Sequence, residues 1–268
     1  MTAPTPLLSL HNISKRFGGL AVISDVSFDV SAGARMALIG PNGAGKTTIF
    51  NLVSGFYQPD EGDIMMEGRA IQTIASRHRI GLGIARSFQN IRLMPHLSVT
   101  ENIMLGQQAR AGGVVELLKP LSFFGHSHWR DEAQALLKDM GLHTYPGEVV
   151  ANLPYGIRKK IEVVRALVAR PKLLLLDEPA AGLNAAETDS LTGFLKRISD
   201  TGVTLLVVEH DMGLVRRLCD HVVVLNFGRK IYDGPTANVQ NDPLVLEAYL
   251  GPRDAASPAK TAEGCHAA

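Results

Sequence analysis

Gly40-Pro41-Asn42-Gly43-Ala44-Gly45-Lys46-Thr47 follows the short apolar run Ala34 to Ile39 and runs into what reads as a helix over residues 46 to 54 that stops near Gly55. The spacing is G-x-x-x-x-G-K-[ST], with a strand before it and a helix after it. Each part has a chemical reason. Glycines let the backbone take positive φ and bring N–H groups close to phosphate oxygens. The helix that follows points its positive end at the same anions. Lys46 is placed to reach β- and γ-phosphates, the Thr47 hydroxyl to ligate Mg²⁺, and Thr48 to add a further hydroxyl. The motif predicts a P-loop α/β fold that binds a nucleoside triphosphate.

Working outward, Leu173-Leu174-Leu175-Leu176-Asp177-Glu178 is a second apolar strand, and it ends in two carboxylates. Beside a phosphate loop, Asp177 suits a carboxylate holding Mg²⁺ or its water. Glu178 lies beyond the strand's C-terminal end, where α/β sheets place their ligands, and it suits the group that orients and deprotonates an attacking water. Taken alone, the pair reads equally as a helix N-cap or a surface acid pair. Residues 172–177 and 203–208 are continuous apolar runs that suit parallel strands covered on both faces. Between them Leu191, Phe194, Leu195 and Ile198 mark one face of a crossover helix. Upstream, Val26, Phe28 and Val30 alternate with Ser27, Asp29 and Ser31, the period of a half-buried strand. From Thr100 to about Val168 the period turns helical: Ala133, Leu136, Leu137 and Met140 share a face, and Gly141 is the expected C-cap. The segment HVVVLNFGRKIYDG predicts a hairpin turning near Asn226 to Gly228.

The 268 residues fit one large α/β domain, and a formal net charge of +1 gives no global field for nucleic acid or an anionic membrane. Cys219 and Cys265 are too few and too distant for a disulfide framework or a Cys-x-x-Cys metal site. The opening MTAPTPLLSLHNISKRF has no charged head with an apolar signal core, and no apolar run approaches the ~20 residues of a membrane-spanning helix. The expectation is therefore a protein of the cytoplasmic side that works at a membrane only through partners. The Ala/Pro/Ser-rich stretch 252–268 reads as a disordered tail.

The chain resembles the ATP-binding-cassette (ABC) ATPases from about Leu7 to Gly251. The resemblance implies roles that the residues alone do not. Phe17 in KRFGG matches the aromatic that stacks on adenine, against a plain reading as a core residue of the first strand. Gln89 in SFQN matches the glutamine that contacts the metal beside the membrane partner, and His210 the switch histidine at the γ-phosphate. It also implies a mixed, largely parallel sheet, with an antiparallel β-subdomain and the core over about 7–90 and 165–251. A helical subdomain is inserted over about 91–164.

The signature segment departs from the family's Leu-Ser-Gly-Gly-Gln. This chain has Leu153-Pro154-Tyr155-Gly156-Ile157, without the Ser hydroxyl that contacts the opposite subunit's γ-phosphate and without the Gln. Gly156 and its helix remain, so backbone N–H groups can still bind phosphate. Arg158, Lys159 and Lys160 crowd the helix's first turn, where cations oppose the macrodipole by a few tenths to ~1 kcal/mol each. That leaves either a phosphate-facing helix end or a solvated basic face. Asn184 stands where the family's dimer-contacting loop has Asp.

Tyr155, the EPAAGLN segment and the long stretch between Gln89 and the signature resemble the longer cassette of branched-chain and other hydrophobic amino-acid importers. That branch implies ATP and Mg²⁺, a second ATPase subunit (identical or different), two permease subunits and, indirectly, a substrate-binding protein at the inner membrane's cytoplasmic face. The apolar cluster Leu117, Leu118, Leu121, Phe123, Phe124 and Trp129 reads as buried in its own domain or as partner-facing. Rival readings are a cassette ATPase of lipid export or iron–sulfur assembly, or a P-loop kinase. The first pair usually has a fuller signature, and the kinase would lack the Gln89, Gly156, His210 series.

Overall fold

The computed structural model describes residues 5–87, 91–107 and 125–250. Strands β1 (Leu8–Phe17), β2 (Leu20–Val30), β4 (Glu61–Met66) and β5 (Arg69–Ala70) form an antiparallel sheet in the order β2-β1-β4-β5. The other sheet contains β3 (Arg35–Ile39), β6 (Ile84–Arg86), β7 (Leu173–Asp177), β8 (Thr204–Val208), β9 (His221–Asn226) and β10 (Arg229–Pro235). Its order is β10-β9-β3-β8-β7-β6, parallel throughout except for the edge hairpin β9/β10. This is the mixed, largely parallel α/β sheet that the sequence predicts, and the hairpin turns at Phe227 and Gly228 as expected.

The apolar runs are continuous because both faces of this sheet are buried. Leu174, Leu176, Leu205 and Val207 face one core with the helices α5 (Tyr155–Leu167) and α6 (Ala185–Asp200). Leu173, Leu175, Leu206 and Val208 face a second core with the antiparallel sheet and the helix α1 (Lys46–Val53). Neither face has room for a polar side chain until a strand ends, so Asp177 and Glu209 appear at the C-terminal edge.

Helix α2 (Ser76–Arg79) precedes β6, and between β6 and β7 the described residues form the helices α3 (Val99–Gln107), α4 (Gly125–Asp139) and α5. Helix α4 stops at Gly141, whose φ of +72° lets Leu142 N–H reach the Leu137 carbonyl at 2.7 Å, the closing bond of a Schellman cap. Helices α7 (Met212–Leu218) and α8 (Pro243–Leu250) follow β8 and β10. None of the described helices is long and apolar enough to cross a membrane.

Helix α1 carries the phosphate loop at its N-terminus and is fixed at the other end by Arg79. This side chain is 1% exposed, and its Nη1 donates to the carbonyls of Leu52 (2.8 Å) and Val53 (2.6 Å). Its Nη2 donates to Ile71. A cation at the negative end of the helix complements the dipole and satisfies orphan carbonyls. Burial pulls the guanidinium pKa down to about 10, so it stays charged at neutral pH. Gly55, at φ +76°, makes room for it: a Cβ there would stand 2.5 Å from Arg79 Nε.

Candidate active site

The phosphate loop leaves β3 at Gly40 and enters α1 at Gly45. Gly40 is required by its neighbour, because a Cβ would fall 2.1 Å from the Leu225 carbonyl oxygen. Gly45 caps α1 at φ +101° with no side-chain bond, leaving the first-turn N–H groups for an outside acceptor. Lys46 is 8% exposed, with its Nζ donating to the carbonyls of Gly40 (2.7 Å) and Pro41 (2.9 Å). Burial lowers its pKa, while Glu178 and Asp177 act to raise it, so both carboxylates lie within electrostatic reach of the ammonium. Asn42, Gly43 and Thr47 are exposed on the outer side of the loop, and Ala44 is packed beneath it.

Asp177 ends β7 against the loop. Its Oδ2 accepts from Arg86 Nη2 at 2.6 Å in a salt bridge with both side chains 9% exposed. Arg86 also donates to Asn51 Oδ1 (2.7 Å) on α1. The donor chemistry suits the Mg²⁺ of the sequence reading: the Asp177 carboxylate and the Thr47 hydroxyl are hard oxygen donors of the kind this ion takes alongside several waters. Among the described residues no cluster of His, Cys, Asp and Glu forms an all-protein metal cage.

Glu178 takes the left-handed conformation, φ +45°, with its N–H on the Val208 carbonyl at 2.9 Å. A non-glycine residue here is strained and persists only where its surroundings over-determine it. The neighbouring Glu209 supplies that determination. It is 1% exposed and accepts from the N–H groups of Ala180 (2.9 Å) and His210 (3.1 Å), so one carboxylate clamps the turn after Glu178 to the turn after β8. Burial pushes the Glu209 pKa up, against those bonds. His210 projects outward from this turn with its side chain 66% exposed, which leaves the ring accessible.

Phe17 ends β1 on the surface, which excludes the reading as a core residue. It meets Tyr57 edge-on at 5.1 Å between centroids, making an open aromatic platform. Gln89 lies outside the described residues, as does the apolar cluster up to Phe124; Trp129 is on α4 and half-buried.

The signature residues start α5. Leu153 is buried, Pro154 is the N-cap without a side-chain bond, and Gly156 is packed beneath. Two of the three cations depart from both arrangements expected from sequence. Lys159 is 3% exposed and turned inward, and Lys160 Nζ donates to Ser190 Oγ at 2.7 Å on α6. The long lysine stems follow the helix down onto its neighbours instead of lying around the tip. Asn184 accepts from Glu187 N–H, and the Glu187 side chain returns to Asn184 N–H, a capping box at the start of α6 that Asp would also suit.

Sequence reasoning gave Arg86, Tyr57 and Glu209 no role. Only Glu209 had a local signal: the first charged residue after an apolar strand, as Asp177 is on its neighbour.

One set of strand ends thus gathers a phosphate loop, a buried lysine, two carboxylates and an exposed histidine, the constellation of a P-loop nucleotide hydrolase. The sequence profile described as "ABC transporter" matches residues 23–181, and the chain belongs to this family of ATP-binding transport ATPases. It is 37% identical to the high-affinity branched-chain amino acid transport ATP-binding protein BraF of Pseudomonas aeruginosa, over 92% of this chain and 98% of that one. It is also 37% identical to LivG of Escherichia coli, over the same shares. Among solved structures, the ADP conformation of an ATP-binding cassette of an ABC transporter superposes with a TM-score of 0.82 at 29% identity, covering 92% of this chain and 99% of that one. A dimeric post-hydrolysis cassette bound to ADP and phosphate shares the fold at TM-score 0.71 and 22% identity.

Proposed function

We propose that this ATPase powers uptake of branched-chain or related hydrophobic amino acids through two permease subunits, at the cytoplasmic face of the inner membrane. The end-to-end similarity to BraF and LivG carries the substrate reading. In this reading residues 1–251 form one ATPase domain with residues 91–164 as its helical part, and a substrate-binding protein delivers the amino acid outside.

Adenine stacks on Phe17. Loop N–H groups from Gly40 to Thr48 and the Lys46 ammonium hold the phosphates, and the lysine exchanges its loop carbonyls for phosphate oxygens. Mg²⁺ would be held by Thr47, Asp177 and Gln89, and would supply charge neutralisation on the phosphates. Arg86 holds the Asp177 carboxylate in place. Glu178 orients the attacking water and takes its proton, while His210 contacts the γ-phosphate. The tip of α5 from a second ATPase subunit, identical or different, closes the site with the N–H groups around Gly156, and Leu153, Pro154 and Tyr155 shape that contact. Closure excludes water, and loss of the γ-phosphate releases it. ATP drives the cycle only through its greater affinity for the closed state.

Permease docking suits the cleft of about 240 Å³ lined by Phe56, Arg79, Arg86, Gly106, Glu162 and Arg165, because Arg86 joins it to Asp177. The test is uptake by proteoliposomes holding this chain with its co-purified permeases. ATP-dependent accumulation of leucine, isoleucine or valine supports the reading; ATP turnover stimulated by another solute class, with no amino-acid uptake, overturns it.

A further inference from the structure

The tip of α5 meets the turn after Glu178, and the start of α6 that follows it, within one chain at three places. The Tyr155 hydroxyl donates to the Ala181 carbonyl at 3.4 Å, and its ring lies over Gly182, where an added Cβ would stand 3.4 Å from Cε1. Gly156 packs on Glu187 so closely that a Cβ would come within 3.1 Å of Oε1, and Glu187 is itself fixed by the capping box with Asn184. Deeper, Lys159 lines a crevice too small to hold a water together with Ser87, Glu162 and Pro179, the residue directly after Glu178. Its ammonium is 5.7 Å from the centre of the Tyr155 ring. Burial lowers the Lys159 pKa, and Glu162, Glu209, Glu178 and Asp177 act to raise it, so this cation on the signature helix senses the carboxylates of its own chain's site.

A buried lysine costs several kcal/mol unless carboxylates compensate it, so its helix is tied to them. Tyrosine at the first position of α5, where the family's common signature has glycine, adds a ring that holds the tip against Gly182.

We propose that Tyr155 and Lys159 are positioning residues that make the tip of α5 and the turn after Glu178 one mechanical unit. Nucleotide on this chain's own phosphate loop then sets the position of the tip that seals the second subunit's nucleotide. The last step rests on the two-subunit reading given above; the coupling within the chain does not. The two ATP sites of an assembly are thereby wired through each chain as well as across their interface.

The experiment is amide hydrogen exchange on the whole chain, kept dilute enough to be monomeric by light scattering, with and without a non-hydrolysable ATP analogue and Mg²⁺. In the wild type, analogue binding should slow exchange over residues 155–160 two- to tenfold, alongside residues 40–50. Lys159→Met and Tyr155→Ala should keep protection at 40–50 and lose it at 155–160, while Lys159→Arg and Tyr155→Phe retain most of it. No slowing at 155–160 in the wild-type monomer overturns the proposal. So does slowing that survives in Lys159→Met and Tyr155→Ala, or loss of protection by all four variants alike, which would mean packing alone. A response in the monomer without any nucleotide-driven dimer at high concentration would instead sink the two-subunit reading and leave the coupling standing.

Discussion

In the proposed mechanism turnover depends on Glu178, and its place is set by main chain rather than by its own side chain. Its N–H is bonded to Val208, its backbone is left-handed, and the next turn is clamped by Glu209. Glu178→Gln therefore changes the chemistry without moving the site. Phosphate release should fall by a factor of about 10² to 10⁴, the usual contribution of a positioned base, while equilibrium ATP affinity stays within about twofold. Turnover near the wild-type rate would assign the base elsewhere. The carboxylates Asp177 and Glu178 could be read from the sequence because an apolar strand has to stop before it can present charge. Arg86, Tyr57 and Lys159 could not. Their roles arise from which strand or helix comes alongside, and an arginine before SFQN or a lysine in a basic triplet has the same local pattern on a solvated face.

At the scale of elements, α1 carries the phosphate-loop motif at one end and is held by Arg79 at the other. Replacing Arg79 with Met keeps the apolar stem and leaves the carbonyls of Leu52, Val53 and Ile71 without their donor. We expect about 3 kcal/mol lost from the unfolding free energy in urea. A loss below about 1 kcal/mol would mean that water replaces the guanidinium without cost. The helices were legible by period and the strands by apolar runs, because both reflect burial on one or two faces. The α5 tip was only half legible. Sequence reasoning located the helix start at the signature, but the fate of the three cations depended on how closely α5 lies on α6 and the Pro179 turn, and no spacing rule contains that.

Across the whole molecule, two cores lie on either side of one sheet and the site occupies the sheet's rim, so stability and site share groups. Glu209 is the plainest case. Burial raises its folded-state pKa above the ordinary 4.5, so the native state holds its proton more tightly than the unfolded chain. Its contribution is complete below pH 4.5 and is lost as pH rises through the folded-state value, so that stability declines over this window. Glu209→Gln should flatten the stability profile from about pH 4.5 upward, as measured by urea denaturation at a series of pH values. An unchanged slope would show that other groups set it. Burial of β7 and β8 on both faces followed from their apolar runs, while the strand order, and with it the pairing of Glu209 with the turn after Glu178, needed β7 and β8 side by side.

The left-handed backbone at Glu178 carries a consequence for how such a protein drifts under mutation. Glycine would sit there without strain, and Glu178→Gly should make the fold more stable by about 1 kcal/mol while abolishing hydrolysis. Selection for sturdiness alone would thus erode the enzyme at this position, and only the demand for transport keeps an acid in a conformation that acids avoid.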